Sequence, residues 1–355
     1  MTEVRTVPLG ELIKPAKTMR AGENEYPVLS MTMNNGLMDQ NQKFKKNIAS
    51  KDLSGYKVVK RCQLVVSFPI DEGVLDFQQL YDEAIVSPAY GIWDVIDGVE
   101  VDIDYLGLAL RSERSLMYYK AKLQGSTARR RSLPKEVFLA LPIELPNLEE
   151  QKNEVEKTRL QKQVKEKRER QRELLAELEK SIFQHMFYGC SDYVQLGDIA
   201  TFIGGSSLPE GEFFAGQEDG VLLMKVSDMN LTGNQKEIIR TGLWLNSYHN
   251  QSQIVPAGSI ILPKRGASIS TNKKRMATRD TLLDPNLMAV VPNREFVDVE
   301  YLYHWFLQFD LQLITSGSSV PQLNKKDLLP LMVPLPGKMM QRKFKNIIQS
   351  IQIDF

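Results

Sequence analysis

A set of short motifs occurs twice in this chain, in the same order and about 190 residues apart. Val7-Pro8-Leu9-Gly10-Glu11-Leu12 is echoed by Val194-Gln195-Leu196-Gly197-Asp198-Ile199. Val28-Leu29-Ser30-Met31 is echoed by Val221-Leu222-Leu223-Met224, and Gly125-Ser126-Thr127 by Gly317-Ser318-Ser319. Ile143-Glu144-Leu145-Pro146 returns as Val333-Pro334-Leu335-Pro336, and Gln151 as Gln341. Five echoes in one order point to duplication rather than chance. A duplicated chain folds into two similar units, and 355 residues is more than one hydrophobic core usually serves.

Each repeat opens with mixed strands and turns. The apolar runs Leu64-Val65-Val66-Ser67-Phe68 and Ser259-Ile260-Ile261-Leu262 predict buried strands, the second entered through the Pro256-Ala257-Gly258 turn. Each then offers a helical stretch: Tyr105 to Leu116 in the first, and Tyr301-Leu302-Tyr303-His304-Trp305-Phe306-Leu307 in the second. Asp104 and Asp298 lie just ahead as N-terminal acidic residues. Each repeat closes on a proline-bounded strand that must end before a following helix.

Between the repeats the character changes. Residues 149–180 hold 19 charged side chains in 32 positions, with no glycine or proline between Asn147 and Tyr188. Good helix formers dominate, predicting a helix over residues 148–187, about 60 Å long at 1.5 Å per residue. Val164, Gln171 and Leu178 fall seven apart, as do Arg168, Leu175 and Ile182. Half of that seam is polar, which argues against a stable coiled coil along its length. Such a helix spans solvent or takes a partner at its apolar positions, which are Val155, Leu160, Val164, Leu175, Leu178 and Ile182. The expected fold class is α+β: two repeated α/β domains, 1–146 and 189–336, joined by the long helix of 147–188. The start of a second helix follows at 337–355.

Composition limits the function classes. The apolar fraction of 42% supports real cores, and a net charge of +1 does not suit a blanket nucleic-acid coat. Any basic surface must be local. The two cysteines, Cys62 and Cys190, have no partner at metal-ligand spacing, which excludes a secreted disulfide scaffold and fits a reducing cytoplasm. There is no apolar leader after Met1 and no apolar run of transmembrane length, so no membrane association is expected.

Catalytic signals are sparse. There is no Walker-type loop and no nucleophile elbow. His185, His249 and His304 are scattered, and His304 sits in an apolar helix where a structural role is the ordinary reading. Ser87-Pro88-Ala89-Tyr90 faintly resembles the Pro-Pro-Tyr tetrad with which amino-methyltransferases hold a flipped base, but alanine replaces the second proline. Phe202-Ile203-Gly204-Gly205 is a poor glycine-rich cofactor loop.

Basic clusters are the positive signal. The first repeat has Lys43, Lys45 and Lys46, then Arg111 and Arg114, then Arg129-Arg130-Arg131. The second has Lys264-Arg265, then Lys273-Lys274-Arg275 with Arg279, then Lys325-Lys326. They lie beside Gly, Ser, Thr and Asn, in loops, where recognition residues tend to sit. Arginine can fork to guanine and lysine meets phosphate, while Asn272 and Gln322 can pair with adenine edges. The expectation is therefore double-stranded DNA binding.

The segment Gly317-Ser318-Ser319-Val320-Pro321-Gln322-Leu323, with Asp327-Leu328 and Val333-Pro334-Leu335-Pro336, resembles the closing signature of a target-recognition domain in the specificity subunits of type I restriction–modification enzymes. Leu145-Pro146-Asn147-Leu148-Glu149-Glu150-Gln151 resembles the run into its following helix, and Leu196-Gly197-Asp198-Ile199-Ala200 its opening. The resemblance covers nearly the whole chain. It implies a non-catalytic subunit whose two domains each read half of a split DNA site, with the central helix as ruler. It further implies docked adenine methyltransferase subunits, which hold S-adenosylmethionine, and a restriction motor–nuclease subunit. No cofactor is expected in this chain. The family's second long helix would begin within 341–353, and Met339 and Met340 replace the acidic residues usual there. Two rival readings are the recognition part of a fused adenine methyltransferase, and a coiled-coil scaffold that never touches DNA.

Overall fold

The computed structural model describes residues 4–33, 35–40, 52–123, 133–315 and 321–353, and the chain divides into units Met1–Arg168 and Glu169–Phe355. The first unit runs through β1 (Arg5–Pro8), β2 (Ile13–Pro15), β3 (Leu29–Thr32), β4 (Gly36–Asp39), β5 (Lys57–Lys60), β6 (Leu64–Val66), β7 (Leu75–Phe77), β8 (Glu83–Val86) and β9 (Gly91–Val95). Helices α1 (Ile103–Leu110), α2 (Glu113–Lys122) and α3 (Lys135–Leu139) follow, then β10 (Pro142–Leu145) and the long helix α4 (Leu148–Phe187).

Its central sheet has the order β2-β9-β6-β7, all antiparallel. Successive residues on these strands serve two cores because strand side chains alternate faces. Leu64 and Trp93 face α1, α2 and α3 through Leu106, Leu110, Tyr119 and Phe138. Val65 and Ile92 face a second layer built from the β3–β4 hairpin and the antiparallel β5–β8 pair. A strand covered on both faces reads as an unbroken apolar run, which is why 64–66 shows no polar alternation.

The second unit continues with β11 (Tyr193–Gln195), α5 (Leu196–Ile199), β12 (Ala200–Gly204), β13 (Glu212–Phe213), β14 (Val221–Met224), β15 (Glu237–Ile238), β16 (Leu243–Leu245), β17 (Ile260–Pro263), α6 (Ala267–Ser270), β18 (Arg275–Ala277), β19 (Thr281–Leu283) and β20 (Leu287–Pro292). Helices α7 (Val299–Phe306) and α8 (Lys325–Leu328), strand β21 (Met332–Pro334) and helix α9 (Lys338–Ile353) complete it. The central sheet, β12-β20-β17-β18-β15, repeats the order of the first and adds one strand. Ile260, Leu262, Met288 and Val290 face the helices. Ile261, Leu287 and Ala289 face the second sheet, β13-β16-β14-β19. The outer pair β11–β21 matches β1–β10, and the parallel pairing of β14 with β19 matches the single parallel bridge Val28–Ile85.

The sequence echoes mark places where both units use the same bonds. Gln151 and Gln341 are almost wholly buried. The Gln151 Oε1 accepts from the Asp102 amide (2.8 Å), and its Nε2 donates to the carbonyls of Pro146 (2.8 Å) and Glu100 (3.2 Å). The Gln341 Oε1 accepts from the Asp298 amide (2.7 Å), and its Nε2 donates to Pro336 (2.8 Å) and Phe296 (3.3 Å). Asp102 and Asp298 cap the helices α1 and α7. Tyr105 and Tyr301 donate their hydroxyls to the carbonyls of Glu144 and Pro334 on the closing strands. One glutamine thus ties the start of a helix to the turn after the closing strand, in each unit.

Three expectations change in detail. The helix expected over 105–116 breaks at Arg111–Ser112, because the Ser112 hydroxyl caps α2 by accepting from the Ser115 amide. Asp102, not Asp104, is the cap of α1, while Asp298 caps α7 as its position suggested. Strand β6 stops at Val66, two residues early, whereas β17 covers Ile260–Pro263.

Helix α4 has 40 residues with the predicted bounds. Its exposed pairs Glu154–Lys157, Glu156–Arg159 and Arg170–Glu173 are spaced i,i+3 and contribute only a few tenths of a kcal/mol each. Its end is held differently. Phe183 and Phe187 are buried in the second unit, their ring centroids 4.8–5.5 Å from those of Tyr301 and Phe344. His304, fully buried, has Nδ1 2.9 Å from the Glu300 carbonyl and Nε2 3.2 Å from Glu179 of α4. Ile182, expected to dock a partner, packs instead on this internal core. Val155 and Leu175 are half-buried, and Leu160, Val164 and Leu178 are exposed.

Candidate nucleic-acid interface

The end of β17 in the second unit gathers basic side chains by backbone pairing. Past Pro263 the chain bends, and residues 321–323 lie alongside it. The Leu323 amide donates to the Lys264 carbonyl (2.9 Å), the Gly266 amide donates to Pro321 (2.9 Å), and Arg265 bridges Gln322. Leu323 is buried beneath, and α8 starts two residues on. Two basic loops distant in sequence, 264–265 and 325–326, are thereby brought to one edge.

Strand β12 forms the floor of that edge. The Lys264 Nζ lies over Gly204, where a Cβ would sit 3.6 Å away. The Lys325 Nζ stands 5.9 Å from the centroid of the Phe202 ring. Arg265, Lys325 and Lys326 are exposed and Lys264 is half-buried. Among the described residues none of the four has a carboxylate within 4.0 Å. Unneutralised cations on a strand end suit a polyanion. The Gln322 Nε2 donates to Asn324 Oδ1 (2.9 Å), so its amide is oriented within the same edge.

The middle basic cluster is turned inward. Lys274 is only 2% exposed. Its Nζ donates to Asn272 Oδ1 (2.7 Å) and to the Phe309 carbonyl (2.8 Å), and burial pushes its pKa down to about 8. Asn272 adopts φ 52° and its Oδ1 also accepts from the Leu311 amide (2.9 Å). Its amide closes a turn. Half-buried Arg275 donates to the carbonyls of Lys274 (2.8 Å) and Met229 (3.1 Å), and burial lowers its pKa. Arg279 donates to the Gln217 carbonyl (2.6 Å) beside the Phe214 ring. Lys273 is half-buried and bonded to Asn230.

In the first unit, Arg111 donates to the Gly107 carbonyl (3.1 Å) and pairs with Asp76 (3.4 Å), and Arg114 pairs with Glu144. Both are exposed, each with a carboxylate beside it. Lys43, Lys45, Lys46, Arg129, Arg130 and Arg131 lie outside the described residues.

Sequence reasoning missed Phe202 and Gly204 as parts of the basic edge. Gly204-Gly205 was visible only as a weak cofactor loop. Gly205 is instead a packing requirement, since a Cβ there would stand 1.8 Å from the Asp284 carbonyl oxygen. Among the described residues, no group of three or more His, Cys, Asp or Glu is placed to hold a metal ion, and no helix is long and apolar enough to cross a membrane.

Each unit is a sheet sandwiched between helices and a second strand layer, and in sequence one continuous charged helix joins the two. A solved structure shares this fold. The S subunit of a type I restriction–modification system from M. genitalium superposes with a TM-score of 0.56 at 15% identity, over 99% of this chain and 90% of that one. The HsdS subunit from Thermoanaerobacter tengcongensis gives a TM-score of 0.45 at 18% identity, over 99% and 89%. No protein-family model matches the sequence, and no curated protein matches it. The chain has the fold of a type I restriction–modification S subunit, an assignment that rests on the first of these superpositions.

Proposed function

We propose that this chain is the specificity subunit of a type I restriction–modification assembly, with each unit reading one half of a bipartite site in double-stranded DNA. The observation that carries the reading is the basic edge of the second unit, four cations gathered on a strand end and a following helix, on a fold shared with an S subunit. Within this reading Lys264, Lys325 and Lys326 meet phosphate. Arg265 and Gln322, paired on the bridge, meet base edges.

The chain does no chemistry of its own here. Methylation, with S-adenosylmethionine, belongs to methyltransferase subunits that dock on the exposed Leu160, Val164 and Leu178 and the half-buried Val155 and Leu175. Cleavage belongs to a motor–nuclease subunit. The test is selection from a random duplex pool, using the chain with a methyltransferase subunit from the same operon. Enrichment of two short motifs at a fixed gap supports the reading. A complex that forms and enriches nothing overturns it.

A further inference from the structure

The basic edge of the second unit does not end at Arg265. Gly266 turns the chain at φ 66° and ψ −152°, a conformation that favours glycine, and α6 follows at once. Among the described residues no atom lies within 4 Å of where a Gly266 Cβ would stand, so the surface stays open across this turn. The Ser268 hydroxyl donates back to the Arg265 carbonyl (2.6 Å) and ties α6 to the edge. Beyond the turn, α6 and the 3₁₀ turn Val226–Asn230 wall a cleft of about 260 Å³. That is below the range of sites that enclose a small molecule, and it suits the edge of something larger.

The apolar lining of the cleft comes from Val226, Met229 and Ala267. Its polar groups each have a fixed sense. The Lys273 Nζ donates to the Asn230 Oδ1. An ammonium has only donors, so the atom facing it is the amide oxygen, and the Asn230 NH2 is left to donate. Asn230 is exposed, and among the described residues its Nδ2 has no acceptor. The Thr271 hydroxyl donates to the Ser268 carbonyl (2.6 Å). With their protons spent on the backbone, the Ser268 and Thr271 oxygens serve the cleft as acceptors.

A donor, an acceptor and an apolar lining side by side match one kind of base pair. In the major groove an A·T pair shows the thymine methyl and the O4 acceptor beside the adenine N6 amine, whereas a G·C pair has no methyl. We propose that this cleft reads an A·T pair in the half-site bound by the second unit. The Asn230 amide donates to thymine O4, and the thymine methyl enters between Val226, Met229 and Ala267. The Ser268 or Thr271 hydroxyl accepts from the adenine amine. Lys273 is a positioning residue, because its ammonium fixes which way the Asn230 amide points. The contact rests on the DNA-reading assignment and adds to it the base pair and the side chain that selects it.

The experiment uses the full chain with a methyltransferase subunit from the same operon, and the motif enriched from a random duplex pool. Uracil replaces each thymine of that motif in turn. At one thymine, loss of the methyl should weaken binding by about four-fold. Selection is then repeated with two variants, whose melting midpoints check folding. With Asn230→Ala that same A·T position should lose its preference while the rest of the motif stays. With Asn230→Asp, which accepts in place of donating, cytosine should replace thymine there. A motif in which no thymine responds to uracil overturns the proposal. So does an identical motif from wild type and Asn230→Ala, or a loss spread evenly over all positions. A wild type that enriches no motif sinks the DNA-reading assignment and this contact with it; a wild-type motif that Asn230→Ala leaves unchanged sinks the contact alone.

Discussion

Replacing Gln341 by leucine tests whether the duplicated glutamine is the fastening that holds each unit together. The side chains are similar in size, so little cavity forms, and the change isolates the hydrogen bonds. Lost are the acceptor for the Asp298 amide at 2.7 Å and the donor to Pro336 at 2.8 Å, with a weaker bond to Phe296 at 3.3 Å. Stranding a buried polar group costs about 1–3 kcal/mol, so two strong bonds and one weak one give about 3–5 kcal/mol. For a unit of this size each kcal/mol lowers the melting midpoint by about 2–4 °C, placing the drop at roughly 6–20 °C. Calorimetry of Gln341→Leu beside Gln151→Leu reads it, and the matched geometry requires matched losses. Gln341→Glu, which keeps an acceptor and loses the donor, should fall between wild type and leucine. If Gln341→Leu melts within about 2 °C of wild type, the bonds are not holding the turn and the reasoning is wrong.

Three further outcomes follow from particular contacts. Lys274 gives up its proton near pH 8 when folded and near 10.5 when unfolded. The unfolded chain therefore binds more protons between those values, and stability rises with pH there by up to about 1.4 kcal/mol per unit. Urea midpoints at pH 8, 9 and 10 should climb for wild type relative to Lys274→Met; parallel curves would refute this. Phe183→Ala removes a buried ring from the cluster with Tyr301 and Phe344 and should cost about 3–5 kcal/mol in denaturant unfolding. Alanine at Lys264, Arg265, Lys325 and Lys326 together should flatten the dependence of log affinity on log salt by about 0.9 for each phosphate contact removed; an unchanged slope would move the DNA elsewhere.

The long helix was legible to the residue because nothing in 148–187 can interrupt one. The duplication was legible because its echoes fall on residues with structural duties that cannot drift freely. Gln151 and Gln341 bond three backbone groups each, and the Gly10 and Gly197 turns pack against Leu139 and Leu329. The basic clusters were harder to rank. In sequence Lys273-Lys274-Arg275 looks more like a DNA contact than Lys264-Arg265 does. Its inward turn depends on Phe309 and Leu311, more than thirty residues further on, and no local pattern carries that. Phe183 and Phe187 sat in plain view at the end of a polar helix, but their burial needs Tyr301 and Phe344.

The glutamine fastening also sets the order in which the protein can be made and the places where it can be cut. Gln151 sits beyond the last strand of the unit it secures, on the first turn of α4. A fragment ending at the Pro146 turn would hold every strand of the first sheet and still lack the side chain that closes it. On the ribosome, that unit stays unlatched until residue 151 has emerged, and the second waits likewise for residue 341. Dissection into stable pieces should therefore fall inside α4, past its first turns, and not at the strand ends where the sequence invites a boundary.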